Sequence, residues 1–229
     1  MMRYEVKVVV AERDYDRICT ELALLGSAMH VLHPPRTVQS VYLDTACGEA
    51  LRDNLAGIGV RSKVRFRWYG DGSAAVAGAL EQKRRDNSFG DKAVFSALGL
   101  VRVRGRDRHA FVEELRAQLP ADAVPLLDGR EPAQWIRYRR DYLATADGAL
   151  RVTLDRDLAA FDQRFGMWLD DRFPTPLPRL CIVEIKADVE LRDDVQRWLQ
   201  RVELRPSKCS KFVMASVPGE APIASRLEM

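Results

Sequence analysis

The chain has 229 residues, of which 47% are hydrophobic and 30% charged, and its 36 Lys and Arg slightly outnumber its 33 Asp and Glu. This length allows a hydrophobic core without disulfide or metal staples, and the composition is that of a soluble globular protein. No apolar run reaches the roughly 18 residues that cross a bilayer, and the N-terminus starts directly with strand-like alternation. We therefore expect neither a membrane segment nor a signal peptide, and a cytoplasmic protein.

Cysteine and histidine usage predicts no structural disulfide or zinc site. The four cysteines, Cys19, Cys47, Cys181 and Cys209, show no CxxC spacing, which indicates reduced thiols used for packing. The three histidines have no metal-ligand spacing, so we do not expect them to hold zinc.

Alternation of apolar and ionisable residues predicts a chain built mainly of strands. Successive side chains of a strand point to opposite faces, so a charge at every second position marks one face of a sheet. This pattern occurs in residues 3–10, 40–45, 61–68, 80–86, 100–106, 136–143, 150–155 and 180–188.

The third of these strands carries a row of four cations, Arg61, Lys63, Arg65 and Arg67. Residues two apart on one face of a strand lie roughly 6.5 Å from each other, so the cations form a continuous line. Residues 61–85 hold seven Lys or Arg against two acids, which indicates a polyanionic partner. Aromatic residues do not interleave with the row on its own face, so we do not expect a nucleic acid.

Helical periodicity is limited to short stretches. Apolar stripes predict helices over residues 14–26, 107–119 and 189–202, and a last helix from about Pro206. The proline-rich residues 173–180 read as a connector, and residues 217–229 as a loose C-terminal tail. Because no repeat or long linker divides the chain, we expect a single domain over residues 1–216.

Two architectures can accommodate so many strands with one charged face. In a sandwich the charged faces point to water, whereas in a closed barrel they line a tunnel and the apolar faces pack against helices outside. A tunnel lined only by cations would repel itself, so it needs acids, water or a bound polyanion. The alternating positions include four such acids: Glu5, Glu81, Asp155 and Glu184. Carboxylates hold hard divalent cations and arginine forks grip phosphate oxygens, so this mixture suits a metal-bound phosphate chain.

An ordered set of motifs then resembles a known family. The motifs are RYEVK, VYLDT, KVRFRWYG, LEQKRRD, YRRDYL, LRVTLD, VEIKAD and SKCSKF. Together they resemble the polyphosphate polymerase domain of the vacuolar transporter chaperone (VTC) proteins, within the triphosphate tunnel metalloenzymes. The resemblance implies an α+β fold built on a closed antiparallel β-barrel with a charged interior and a few peripheral helices. It also implies transfer of the γ-phosphate of a nucleoside triphosphate, ATP above all, to a growing polyphosphate, with Mn²⁺ or Mg²⁺ bound.

The same resemblance assigns residues to the site. The expected residues are Lys7, Arg65, Arg67, Lys83, Arg139 and Lys186 for phosphate transfer, Ser207, Lys208 and Lys211 for substrate binding, and Glu184 and Glu5 for the metal. Arg61 and Lys63 have no match in the family motifs and are expected to bind substrate because they share a face with Arg65 and Arg67. On the tunnel interpretation, removing Arg65 or Arg67 should relieve cation repulsion and leave the ligand-free protein at least as stable.

The chain departs from the triphosphatase branch of this superfamily at its first strand. That branch begins with Glu-x-Glu-x-Lys, whereas this chain has Arg3, Glu5 and Lys7. The lost carboxylate favours the polymerase, but two alternatives stay open: a non-catalytic module that binds polyphosphate or another polyanion, and a tunnel triphosphatase. A P-loop motif is absent, so the barrel itself must hold the triphosphate. Coupling to transport would require separate membrane or regulatory subunits.

Overall fold

The computed structural model describes residues 3–24, 29–87, 89–207 and 209–217. The strands are β1 Arg3–Ala11, β2 His30–Thr45, β3 Val60–Tyr69, β4 Ala75–Val76, β5 Gly78–Asp86, β6 Phe89–Ser96, β7 Val101–Arg102, β8 Arg130–Ala144, β9 Leu150–Asp162 and β10 Leu180–Asp188. The helices are α1 Tyr15–Ala23, α2 Glu49–Leu55, α3 Arg108–Gln118, α4 Arg192–Arg201 and α5 Lys211–Ser216. No helix in the described ranges is long and apolar enough to cross a membrane.

Eight of the strands form one antiparallel sheet in the order β1-β10-β9-β8-β2-β3-β5-β6. The sheet curls into a half-barrel with a few helices, which confirms the predicted α+β tunnel fold. Its edge strands, β1 and β6, do not pair with each other in the described part of the chain. The predicted strand at residues 100–106 shortens to β7, which pairs only with β4 in a separate two-stranded sheet.

The outer face of the curled sheet holds two hydrophobic cores. Phe66, Trp68 and Trp135 pack beneath α3, whose Asp107 caps the helix by accepting a hydrogen bond from the Ala110 amide at 3.0 Å. Capping of this kind is typically worth about 1 kcal/mol. A second core joins the apolar residues of β1, β9 and β10 to α1 and α4. Apolar side chains therefore face outward to the helices, and the alternate charged side chains face inward.

The inner face divides into a charged section and an apolar section. A β-bulge in β9 marks the boundary, because β9 has one residue more than β8 between Arg156 and Ala159. Asp157 has a φ of 53° at this point. The bulge changes which residues of β9 face inward: Asp155 does so before it and Ala160 after it. Apolar residues of α2 and α5 pack on the inner face beyond the bulge.

The C-terminal residues 204–207 and 209–216 lie across the open side of the half-barrel. The Ser207 amide donates to the Lys7 carbonyl of β1 at 2.8 Å, and Lys63 of β3 donates to the Ser210 hydroxyl at 3.2 Å. The Phe212 ring then stacks on Tyr42 with a centroid distance of 4.9 Å. Side chains and a short helix thus connect β1 with β3 across the open side. The closed-barrel prediction instead expects the edge strands β1 and β6 to pair, which they do not do in the described residues.

Two expectations from the sequence change in this structure. All four cysteines are free, as predicted, but Cys47 is exposed and does not serve packing. The last helix begins at Lys211, with Ser210 as its N-cap, instead of near Pro206. The predicted tail lies outside the described residues after Val217, and the single-domain assignment to residues 1–216 stays a prediction.

Candidate functional site

Four charged side chains of alternating sign lie on the inner face of strands β1 and β10. The strand register places Lys7 opposite Glu184 and Glu5 opposite Lys186. Lys7 Nζ lies 3.6 Å from Glu5 Oε1 and 3.7 Å from Glu184 Oε2, and Lys186 Nζ lies 3.1 Å from Glu184 Oε1. Burial alone would raise the pKa of Glu184, but the two lysines outweigh it and hold that pKa well below its usual range. Glu184 is therefore ionised at neutral pH.

A second charged group surrounds Glu81 on β5. Arg65 donates to Glu81 Oε2 from two nitrogens, at 2.8 and 2.6 Å, and Lys92 of β6 donates to Oε1 at 2.7 Å. Arg67 lies 3.5 Å from the same carboxylate and also donates to two inner-face hydroxyls. Burial would raise the pKa of Glu81, but Arg65 and Arg67 lower it to about 2. Glu81 thus holds both arginine forks in fixed orientations.

This arrangement corrects the expectation that Arg65 and Arg67 simply repel each other. Both share the buried Glu81 carboxylate, so removing either one takes away an ion pair together with any repulsion. Removing either arginine is therefore expected to destabilise the ligand-free protein, not to stabilise it.

The floor of the charged section is a buried triad of Asp155, Arg140 and Lys211. Asp155 is fully buried and accepts hydrogen bonds from Arg140 at 2.5 and 2.8 Å. Lys211, the first residue of α5, donates to its second oxygen. Burial would raise the pKa of Asp155, but Lys211 and Arg140 lower it. The Lys211 ammonium also lies 4.6 Å from the centroid of the Tyr138 ring.

Two lysines of the inner face form no ion pair in the described chain. Lys63 donates only to the Ser210 hydroxyl, and Lys83 has neither an ion pair nor a hydrogen bond. Burial and the repulsion of Lys83 and Lys7 lower the pKa of Lys63 to about 8. Lys83 is exposed to solvent but lies within the concavity, where crowding by protein atoms and the charge of Lys7 lower its pKa despite the opposing attraction of Glu5 and Glu184.

The same excess of positive charge lowers the pKa of Tyr42. Its hydroxyl accepts a hydrogen bond from Arg65 Nη1 at 2.8 Å. Burial would raise the pKa of this phenol, but Arg65, Arg67 and Lys63 together lower it to about 8. Lys7 on β1 also lowers the pKa of Lys63 on β3 and of Lys83 on β5. Charges on opposite walls of the concavity therefore interact. The concavity is thus one electrostatic unit.

The structure brings most of the predicted site residues together on the inner face. These are Glu5, Lys7, Lys63, Arg65, Arg67, Lys83, Glu184, Lys186 and Lys211, with Arg61 at the rim. Ser207 lies beside Lys7, and its hydroxyl is buried with no hydrogen-bond partner in the part of the chain that the structure describes. Lys208 lies outside the described residues. The roles of all these predicted residues in the site stay predictions.

Arg139 is the predicted residue that the structure places apart. Its side chain is exposed, and Arg140 occupies the inner face between Tyr138 and Tyr142. Because β8 carries arginines on both faces, alternation alone did not show which of them faces inward. Lys92 was also missed, because β6 lacks a clear alternating pattern. Its ion pair with Glu81 follows only from strand pairing.

The carboxylates Glu5 and Glu184 are a chemically suitable pair for a divalent cation. Both lie within 4 Å of the same Lys7 ammonium, so their oxygens approach one region of the inner face. No group of three or more His, Cys, Asp or Glu that could hold a metal occurs in the described ranges. Mg²⁺ commonly binds through one or two carboxylates and completes its shell with water and substrate phosphates. These residues therefore fit an ion held jointly with a phosphorylated ligand.

A cavity of about 610 Å³ lies away from this charged surface, between α4 and the turn after β8. Its lining includes Leu150, Leu191 and Trp198 and none of the inner-face cations. We therefore place the candidate site on the inner face, where charge and geometry converge.

Comparison with known proteins agrees with this geometry. An X-ray structure of a candidate adenylate cyclase from Vibrio parahaemolyticus superimposes with a TM-score of 0.52 at 12% identity, over 95% of this chain and 100% of that chain, which shows a shared fold. The Schizosaccharomyces pombe Mediator head module gives only 0.42 at 8% identity, over 89% and 92% of the two chains. No curated protein shows a significant match. The sequence model of the VTC domain, however, matches residues 2–217, nearly the whole chain. The chain therefore belongs to the VTC domain family.

Proposed function

We propose that this protein is a polyphosphate polymerase that transfers the γ-phosphate of a nucleoside triphosphate, ATP in the first instance, to a growing polyphosphate chain. The observation that carries the proposal is the excess of cations on one concave surface, where Lys63 and Lys83 form no ion pair within the described residues. A phosphate chain in the concavity would supply the missing negative charge. Membership of the VTC domain family supports the same ligand class.

The proposed reaction needs positioning and charge neutralisation more than covalent work. A terminal oxygen of the acceptor polyphosphate attacks the γ-phosphorus, the bond to the β–γ bridging oxygen breaks, and a nucleoside diphosphate leaves with that electron pair. Lys7, Lys83, Arg65 and Arg67 would bind the phosphates, with Arg140 in the place expected for Arg139. Because Glu81 and Asp155 already fix the three arginines, little reorganisation is needed on binding.

Glu184 and Glu5 would hold Mn²⁺ or Mg²⁺ at one end of this surface. When bound, the ion supplies positive charge that neutralises the phosphate oxygens around the transferred group. Lys7 and Lys186, which contact these carboxylates in the structure, would then be released to bind phosphate. Lys211, and with it Lys208, would guide the acceptor or product chain.

A direct assay separates this proposal from its two alternatives. The protein is incubated with ATP and Mn²⁺ or Mg²⁺, the products are separated on a gel stained for polyphosphate, and free phosphate is measured in parallel. Metal-dependent growth of polyphosphate supports the polymerase. Free phosphate without chain growth would identify a triphosphatase, and binding without conversion would identify a polyanion-binding module. Measuring cyclic AMP in the same reactions tests the activity named for the Vibrio parahaemolyticus protein.

Replacement of Glu184 tests the metal assignment. We expect Glu184→Gln to lower polymer synthesis by at least about 10- to 100-fold, because losing a metal contact costs at least as much as losing an outer-shell partner. Metal-free binding of tripolyphosphate should persist or tighten, since one acid leaves a site built for an anion. Glu190→Gln, an exposed change just beyond β10, is the matched control. An active enzyme with unchanged metal dependence after Glu184→Gln would move the assignment to Glu5.

A cytoplasmic location and association with separate membrane or regulatory subunits remain parts of this proposal. The polymer product would have to pass to such partners if it is to cross a membrane. Pull-down of the tagged protein from its native cells, with and without membranes solubilised, tests that association.

A further inference from the structure

The rim of the inner face contains like charges directly opposite one another. The register of β3, β5 and β6 aligns Lys63 with Lys83 and Lys83 with Lys92. One step further out, Arg61 lies opposite Arg85. We call this outer pair the arginine rung. It contains no acid, because the residue opposite Arg85 on β6 is Gly90.

The fold gives no reason for the arginine rung. Directly opposed like charges destabilise a sheet, and the same protein pairs opposite charges where β1 meets β10, with Lys7 facing Glu184. Lysines on an edge strand can prevent unwanted strand pairing, which would account for Lys92 on β6. Arg61 likewise lies where β3 extends beyond its pairing with β2. Arg85, in contrast, lies on β5 between β3 and β6, where no free edge needs protection.

Backbone contacts also position both guanidinium groups of the arginine rung. Arg61 donates to the Ile58 carbonyl, and Arg85 Nε donates to the Asn87 carbonyl at 3.0 Å. Each contact uses a local backbone acceptor and leaves other guanidinium N–H groups without a partner among the described residues. Arg61 also contributes to the lowered pKa of Lys63, so the rung continues the electrostatic surface of the site.

We propose that the arginine rung is a subsite for the distal phosphates of an inorganic polyphosphate chain. Phosphates near the reacting end would lie between Lys7, Arg65 and Arg67, and the chain would run outward past the lysines to Arg61 and Arg85. The protein would then prefer long polyphosphate to tripolyphosphate as its bound chain. The inference rests on the proposed function only for the class of ligand, because chain-length preference is a property of binding and needs no turnover.

Binding measured without divalent metal tests the subsite. Tripolyphosphate, long-chain polyphosphate and a single-stranded oligonucleotide are titrated into wild type, Arg85→Ser and Arg84→Ser at several salt concentrations. Arg84 is the matched control, since it is the neighbouring arginine on the opposite face of β5, across from Asp91. Each variant is first checked for an unchanged melting temperature.

We expect Arg85→Ser to weaken long-chain binding and to reduce its salt slope by about one, the change typical of one lost phosphate contact. Tripolyphosphate binding should not change, and Arg84→Ser should leave both ligands unaffected. Equal losses for short and long chains, or a wild type that binds both equally, would overturn the subsite. Oligonucleotide binding as tight as long-chain binding would overturn its assignment to inorganic polyphosphate. Chain-length preference without polymer synthesis would leave the subsite standing and the polymerase refuted.

Discussion

Neutralising Asp155 is the sharpest test of how the site is held together. Asp155 is fully buried and shares its two oxygens between Arg140 and Lys211. The change Asp155→Asn keeps the shape but leaves two buried cations without an anion. Breaking a buried ion pair in this way typically costs about 3–5 kcal/mol. Since each kcal/mol corresponds to roughly 2–4 °C in a protein of this size, the melting temperature should fall by about 6–20 °C.

A double variant tests whether the loss of stability comes from unpaired charge. Adding Lys211→Met to Asp155→Asn removes one of the stranded cations, so we expect the double variant to regain part of the lost stability. Denaturant unfolding of the four proteins in this cycle gives the coupling free energy. Asp170→Asn, which affects an exposed pair with Arg172, should hardly change the melting temperature. Strictly additive losses, or a wild-type melting temperature in Asp155→Asn, would refute the reasoning.

The pH dependence of the same variant has a defined sign. The pKa of Asp155 is lower in the folded protein than in the unfolded chain, where it is about 3.9. Its contribution to stability is therefore complete above about pH 4 and is lost as the pH falls through the lower folded value. The difference between wild type and Asp155→Asn should accordingly shrink as acid is added.

Two further predictions concern the lysines without an ion pair in the described residues. Lys83→Met should raise the unfolding free energy by roughly 0.2–1 kcal/mol, because it removes a cation opposite two others. The same change should reduce the gain in melting temperature that tripolyphosphate gives. A clear loss of ligand-free stability would contradict this. At about pH 8, wild type should take up more protons than Lys63→Met on binding tripolyphosphate, because the anion raises the lowered pKa of Lys63. Calorimetry in two buffers of different ionisation enthalpy measures the uptake, and equal uptake would count against Lys63. Without ligand, the stability of wild type should rise from about pH 8 towards the unfolded lysine value of about 10.4, more steeply than in Lys63→Met.

Alternation in the sequence correctly predicted which residues of several strands share a face. In β3 the apolar positions Phe66 and Trp68 are buried against α3, while Arg65 and Arg67 face inward. The predicted helix over residues 107–119 agrees with α3 to within a residue at each end, because Asp107 is a strong N-cap. Local chemistry decided both outcomes, so the sequence was sufficient.

The remaining features depend on long-range pairing. Strand β8 has Arg137 and Arg139 on one face and Arg140 on the other, and only its packing against the rest of the sheet decides which face turns inward. The bulge at Asp157 changes which alternate residues of β9 face inward, and no local sequence pattern predicts that change. The bridging role of the C-terminal segment depends on contacts with β1 and β3, which are distant in sequence.

The position of β1 at one edge of the sheet has a consequence for folding. Within the described chain its strand partner is β10, so β1 cannot pair until all the strands between them in the sequence have been synthesised. Pairings this distant in sequence are entropically costly to form, and folding dominated by them typically takes milliseconds to seconds. Until then β1 presents unpaired backbone groups to other chains. Lys7 and Glu184 meet only when these two strands pair, so the nascent protein completes its sheet and gains its candidate metal-binding end in a single late event.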